Sequence, residues 1–152
     1  MEVVSNKLTI EDIEKKESVN YESNSSSAYP LEVWYRDVRK KRLSDLTDGD
    51  IARFVRQKMY LGYIVPEAIK RVLDNPTIGD TYYGEILTSL YQINDTFWEE
   101  NKNCGREMIM LLDKLLAGNL IAYDFEWSYE DEATEFYAKA SSFYEKLKRL
   151  EV

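Results

Sequence analysis

Lys41–Leu90, KRLSDLTDGDIARFVRQKMYLGYIVPEAIKRVLDNPTIGDTYYGEILTSL, is the stretch whose reading decides the fold class. Thr47 stands where a helix N-cap belongs. Asp48 and Asp50 follow in the first turn, where carboxylates meet the positive end of the helix. Ile51, Phe54, Val55 and Met59 then recur at i, i+3, i+4 and i+8, the rhythm of one buried helical stripe. Arg53, Arg56 and Lys58 fall on other sides. Gly62 loosens this helix, and Pro66 suits the first turn of a second one. There Ile64, Val65, Ala68, Ile69, Val72 and Leu73 make a broad apolar face. Asp74-Asn75-Pro76 and Ile78-Gly79-Asp80 close it with turn chemistry. A further helix is expected from about Tyr82 to Ile93, burying Tyr83, Ile86, Leu87 and Leu90. Gly84 in its first turn lets a neighbouring helix approach closely.

Towards the amino terminus, Leu31–Leu43 begins as a helix with Leu31, Trp34, Tyr35 and Val38 on one face. It ends in Arg36, Arg39, Lys40, Lys41 and Arg42. These cations are read as complementing the helix end and pairing with the acidic remainder, because the net charge opposes polyanion binding. NYESNSSSAYP (Asn20–Pro30) is polar and Ser-rich, a flexible connector. Before it, Thr9 and Asp12 are spaced as a cap, and Leu8, Ile10 and Ile13 support a short helix. The chain therefore divides into an N-terminal segment and connector (1–29) and a helical domain (30–152).

Towards the carboxyl terminus, Asn94, Asp95 and Thr96 supply caps for an element that Phe97 and Trp98 start. Gly105 interrupts it, and Met108, Leu111, Leu112 and Leu115 complete it before Gly118-Asn119. Ile121, Tyr123, Phe125 and Trp127 then alternate with Ala122, Asp124 and Glu126, the period-two pattern of an extended strand. With no evident partner strand, this segment is either an extended loop on the helices or a short strand paired with the N-terminal segment. The last helix keeps Ala133, Phe136, Tyr137, Ala140, Phe143, Tyr144 and Leu147 on one face, with Lys146, Lys148 and Arg149 at its end. The expected architecture is an all-α, compact single-domain bundle of about six helices, with a short extended segment near residues 120–127.

At 152 residues the chain has the length of one domain and can bury a real core. Its charge of −8 is unevenly spread. Residues 1–30 hold six acids and three bases, residues 31–93 nine and ten, and residues 94–152 thirteen and seven. A nucleic-acid binder is expected to show the opposite balance, whereas an acidic face favours a basic partner. Twelve tyrosines, five phenylalanines and three tryptophans supply rings for the core and for a wet interface.

The chain has no histidine, which excludes His-based acid/base chemistry and Cys/His zinc sites. Cys104 has no second cysteine to pair with. Neither a Ser-x-x-Lys motif nor a glycine-rich phosphate loop occurs. Glu132 and Glu135, or Asp131 and Glu135, have the one-turn spacing of metal-binding carboxylates in helical hydrolases. Glu99, Glu100 and Glu107 do not repeat that spacing on a facing helix, and acids in a first turn are what capping predicts. No catalytic residue, metal or cofactor is therefore expected. No apolar run approaches a membrane span, and the amino terminus lacks a signal-peptide core, so the cytoplasm is the default compartment.

The central stretch carries a family likeness. Its features are Arg39-Lys40-Lys41 with Leu43 and Asp45-Leu46, then Thr47 with Asp50-Ile51, and Val55-Arg56-Gln57. Ile64-Val65-Pro66, Asn75-Pro76, Tyr83-Gly84-Glu85-Ile86-Leu87 and Phe97-Trp98-Glu99-Glu100-Asn101 follow. In this order, over about residues 38–101, the chain resembles an all-helical family of immunity proteins from bacterial contact-dependent growth inhibition systems. The resemblance implies a cytoplasmic, non-enzymatic inhibitor. It would bind the carboxyl-terminal toxin domain delivered by a sibling cell, one to one, and block its active site or substrate path. Many such toxins are nucleases and must present positive charge.

The expected contact surface combines the acids Asp124, Glu126, Glu130, Asp131, Glu132 and Glu135 with the rings of Tyr123, Trp127 and Tyr129, since hot spots favour Trp and Tyr. The opposing reading is a solvated acidic helix start with Trp127 folded into the core. Arg56, Gln57, Tyr83 and Glu85 are read as mostly scaffold. Two other classes compete with the inhibitor: a non-catalytic helical adaptor, and a metal-dependent nucleotide hydrolase.

Overall fold

Local caps start the helices where the sequence placed them. In the computed structural model, which describes residues 6–22 and 28–151, Thr47 Oγ1 accepts from the Asp50 amide at 3.0 Å, and Asp50 Oδ2 accepts from the Thr47 amide at 3.1 Å. Thr9 and Asp12 close the same reciprocal box. Asn94 accepts from the Phe97 amide at 3.1 Å. Each pairing satisfies amide groups that a helix start leaves open.

The described residues form eight α-helices, three of which begin at these caps. They are α1 (Ile10–Lys16), α2 (Pro30–Val38), α3 (Asp48–Arg56), α4 (Leu61–Asp74), α5 (Glu85–Tyr91), α6 (Asp95–Glu100), α7 (Lys102–Leu116) and α8 (Glu132–Arg149). A 3-10 turn, Leu43–Asp45, precedes α3. The fold is all-α. No strand is formed among the described residues, only one isolated antiparallel bridge between Thr9 and Arg42.

α3 packs on α4 and α5, α4 also on α5 and α7, and α8 on α5 and α7. Ile51, Phe54, Val55, Ile64, Val65, Ala68 and Val72 are buried between them, as the apolar periodicity requires. Trp98, on α6, is fully buried with its ring 5.5 Å from that of Phe143 on α8. Each large side chain so buried contributes roughly 1.5–3 kcal/mol relative to exposure. Lys146 does more than complement its own helix end. Its ammonium donates to the Tyr91 and Ile93 carbonyls at 3.0 and 2.8 Å, capping α5 from α8.

The N-terminal helix is docked. Ile10 and Ile13 are fully buried, and residues 6–11 run antiparallel to 39–44 through Leu43 N to Leu8 O (2.9 Å) and Ile10 N to Lys41 O (3.2 Å). Beneath this contact Glu14 takes a two-pronged ion pair from Arg39 (2.8 and 2.6 Å) and a hydrogen bond from the Tyr35 hydroxyl. Arg39 is thus paired within the fold, as the charge argument expected. The middle of the Ser-rich connector lies outside the described residues.

Several boundaries differ from the sequence expectation. The break after α3 falls at Lys58 and Tyr60, both left-handed, and α4 runs continuously through Gly62 and Pro66. Gly62 is exposed with no atom near its missing Cβ, so nothing forces a break there. α2 ends at Val38, short of Leu43, and Leu31 is exposed. The break between α6 and α7 falls at Asn101, whose side chain donates to the Phe97 carbonyl, and α7 passes through buried Gly105. Residues 120–127 form an irregular loop that turns at Ala122–Phe125 (Phe125 N to Ala122 O, 3.0 Å). The turn disrupts the alternation: Ile121 and Trp127 pack on the core and Phe125 on the rings of Tyr83 and Trp127, while Tyr123 is fully exposed. Residues 6–11 of the N-terminal segment pair with 39–44, and among the described residues none pairs with this loop.

Candidate functional site

Two loops meet on one face of the bundle. The first, Gly79–Gly84, is held by the buried carboxylate of Glu85 at the start of α5. Its Oε1 accepts from the Asp80 and Thr81 amides at 2.9 and 3.1 Å, and its Oε2 pairs with Arg56 at 3.3 Å. Asp80 in turn accepts from the Gly49 amide in the first turn of α3 at 2.8 Å, where a carboxylate is favoured. Gly84 has φ of +81°, and a Cβ there would lie 2.8 Å from the Phe136 ring of α8. The chain therefore lies flat against α8 at Gly84. Glu85 and Gly84 serve as scaffold, as expected. Tyr83 lies outside α5 and is 40% exposed, not buried in the helix as the apolar rhythm expected, and its neighbour Tyr82 is 45% exposed. The apolar rhythm placed Tyr83 in a buried stripe because nothing local revealed that the helix starts two residues later.

The second loop, 117–131, links α7 to α8 and carries most of the expected contact residues. Tyr123, Asp124, Glu126, Tyr129, Glu130, Asp131 and Glu135 are exposed. Trp127 is half-buried, stacked near Phe125 (4.9 Å), Phe136 (5.3 Å) and Tyr137 (6.4 Å), so its ring chiefly supports the loop. Glu132 is buried and accepts from the Ser128 amide at 2.6 Å, which ties the loop to the first residue of α8. The Tyr129 hydroxyl donates to Glu135 at 2.7 Å, and this bond to a carboxylate raises the Tyr129 pKa. No Lys or Arg occurs between Lys114 and Lys139.

Tyr83 joins the two loops. Its ring meets Phe125 edge-on at 5.0 Å and Trp127 at 6.2 Å. Seven of the nine expected residues are exposed, Trp127 is half-buried and Glu132 is buried, and Tyr83 brings the first loop against the rings of the second.

The carboxylates with metal-binding spacing have other partners, Glu132 the Ser128 amide and Glu135 the Tyr129 hydroxyl. Among the described residues no group of three or more acidic or Cys side chains is placed to hold a metal ion. A groove of about 280 Å³ between α4 and α7 is lined by Pro66, Ile69, Leu73 and Met110 with Lys70 and Lys114 at its edge. It is smaller than the usual ligand pocket of about 300–1,000 Å³. Among the described residues no helix is long and apolar enough to cross a membrane.

No curated protein and no solved structure shows a significant match to the chain. The family of CDI immunity proteins matches residues 15–108, well over half of the sequence. The match takes in α2 to α6, the first loop and the Glu85 clamp, and stops before the acidic loop. The all-α bundle and this match together place the chain in the CDI immunity proteins, whose part is to neutralise a toxin.

Proposed function

We propose that the protein neutralises a basic toxin domain, a nuclease, by covering its active site or substrate path in a one-to-one complex in the cytoplasm. The observation that carries this reading is the surface of Asp124, Glu126, Glu130, Asp131 and Glu135, uninterrupted by any cation in the sequence and bordered by exposed tyrosines. A nuclease must present positive charge to hold nucleic acid, and an acidic inhibitor face competes for that charge and speeds encounter. The acidic loop also lies beyond the family match, where members facing different toxins would diverge. On this reading residues 30–152 carry the partner-binding elements, and residues 1–29 brace them through α1. The protein acts by occupancy and turns over no substrate.

The test is binding of the cognate toxin domain to the full chain as salt is raised. Replacing Asp124, Glu126, Glu130, Asp131 and Glu135 with their amides should slow association about tenfold or more at low salt and flatten its salt dependence. Unchanged affinity and salt dependence would discard this surface.

A further inference from the structure

The face has a part that acidic charge alone does not explain. Tyr82 and Tyr83 stand exposed on a loop whose backbone is fixed from several sides. Glu85 binds two of its amides, Asp80 ties it to α3, Gly84 N donates to Thr77 O at 2.9 Å, and Gly84 lies against Phe136. A loop that only connected α4 to α5 would need none of this to leave Tyr82 in water and Tyr83 only partly covered by Phe125 and Trp127. Burying those rings elsewhere would remove apolar area from solvent, so their presentation has a cost that the clamp enforces.

We infer that the partner-contacting face has two arms: the acidic loop 123–135, and the Asp80–Tyr83 segment, with Tyr82 as its outward anchor and Glu85 as the residue that positions it. This inference rests on the toxin-binding reading above and names the partner chemistry of the same face. An exposed phenol ring on a molecule whose neighbouring loop is acidic fits a cationic side chain on the partner, an arginine above all. Its guanidinium stacks on the ring face, and the acids of the second loop draw the basic partner in. Tyr83 completes the arrangement from below. Its edge contacts with Phe125 and Trp127 fix the spacing of the arms, so little ordering remains to be done on binding. The two arms divide the labour. The acids set the rate of encounter, and the clamped ring sets the lifetime of the complex.

The experiment measures association and dissociation rates of the full chain with its cognate toxin domain at two salt concentrations. Tyr82→Ala should raise the dissociation rate about tenfold or more and leave the salt dependence of association unchanged. Tyr82→Phe should keep the wild-type rate to within about threefold, because the ring face is what binds. Glu85→Ala should also speed dissociation, measured well below its unfolding temperature. Glu85→Gln, which keeps the oxygen that accepts from Asp80 and Thr81, should largely restore it. A purely structural Glu85 would lower the unfolding temperature and leave dissociation alone. If Tyr82→Ala binds within about twofold of wild type while the acid-to-amide variant is weakened, the second arm is refuted and the toxin-binding reading stands. If the wild-type chain forms no complex with the toxin domain, both fall.

Discussion

Gly84→Ala tests the junction on which the two-loop face depends. At φ of +81° an alanine is in the left-handed region, which costs roughly 1–2 kcal/mol for a residue with a Cβ. The new methyl would also sit 2.8 Å from two carbons of the Phe136 ring. That ring is only 6% exposed and is flanked by Trp127 at 5.3 Å and Tyr137 at 5.5 Å, so it cannot simply swing away. Overpacking of this kind costs about 1–3 kcal/mol, which brings the total to about 2–5 kcal/mol. Gly118→Ala supplies the internal control. Gly118 has φ of +85° but no atom within 4 Å of a built Cβ, so only the backbone strain of about 1–2 kcal/mol applies. Urea unfolding of both variants, compared at equal m-values, measures the difference. Gly84→Ala should be the less stable by about 1–3 kcal/mol. Equal stabilities for the two would refute the close contact between Gly84 and Phe136. The same variant should weaken toxin binding by displacing Tyr83 through Phe136 and Trp127.

Two further outcomes concern the frame. Glu14→Ala removes one partner of a buried ion pair and should cost about 3 kcal/mol in urea unfolding, the low end for such losses because Arg39 keeps Glu11 at 3.4 Å. Burial alone would push the Glu14 pKa up, but the hydrogen bonds from Arg39 and Tyr35 and the Arg39 charge hold it below the usual carboxylate value. Its contribution is therefore fully present above the ordinary carboxylate range and lost as pH falls through the lowered folded value. The stability gap between wild type and Glu14→Ala should close on acidification below about pH 4, and a gap independent of pH would contradict the assignment. Thr47→Ala should cost about 1 kcal/mol, a fall of roughly 2–4 °C in Tm, by opening the cap of α3. Asp50→Ala should cost more, since Asp50 also accepts from Trp34 Nε1 at 2.9 Å, and calorimetry that ranks the pair the other way would count against that bond.

Interactions that close within one or two helical turns were legible in the residues alone. Thr9 with Asp12, Thr47 with Asp50, and Asn94 marked helix starts because a cap involves side chains only three positions apart. The apolar stripes of α3, α4 and α8 marked buried faces because helical geometry repeats every few residues. The concentration of acid beyond residue 94, and its lack of cations between Lys114 and Lys139, were equally plain. The tertiary structure alone decided which rings face water. Tyr83 and Tyr123 both sat in apolar rhythms, yet the first is turned out by the Glu85 clamp and Gly84, and the second by the turn at Ala122–Phe125. Trp127 was settled inward by Phe136 and Tyr137, and the Tyr83 contacts that join the loops span more than forty residues. Periodicity describes one element against an unspecified interior. Which side chain is covered depends on what another part of the chain brings to it, and contacts that distant leave no spacing to read.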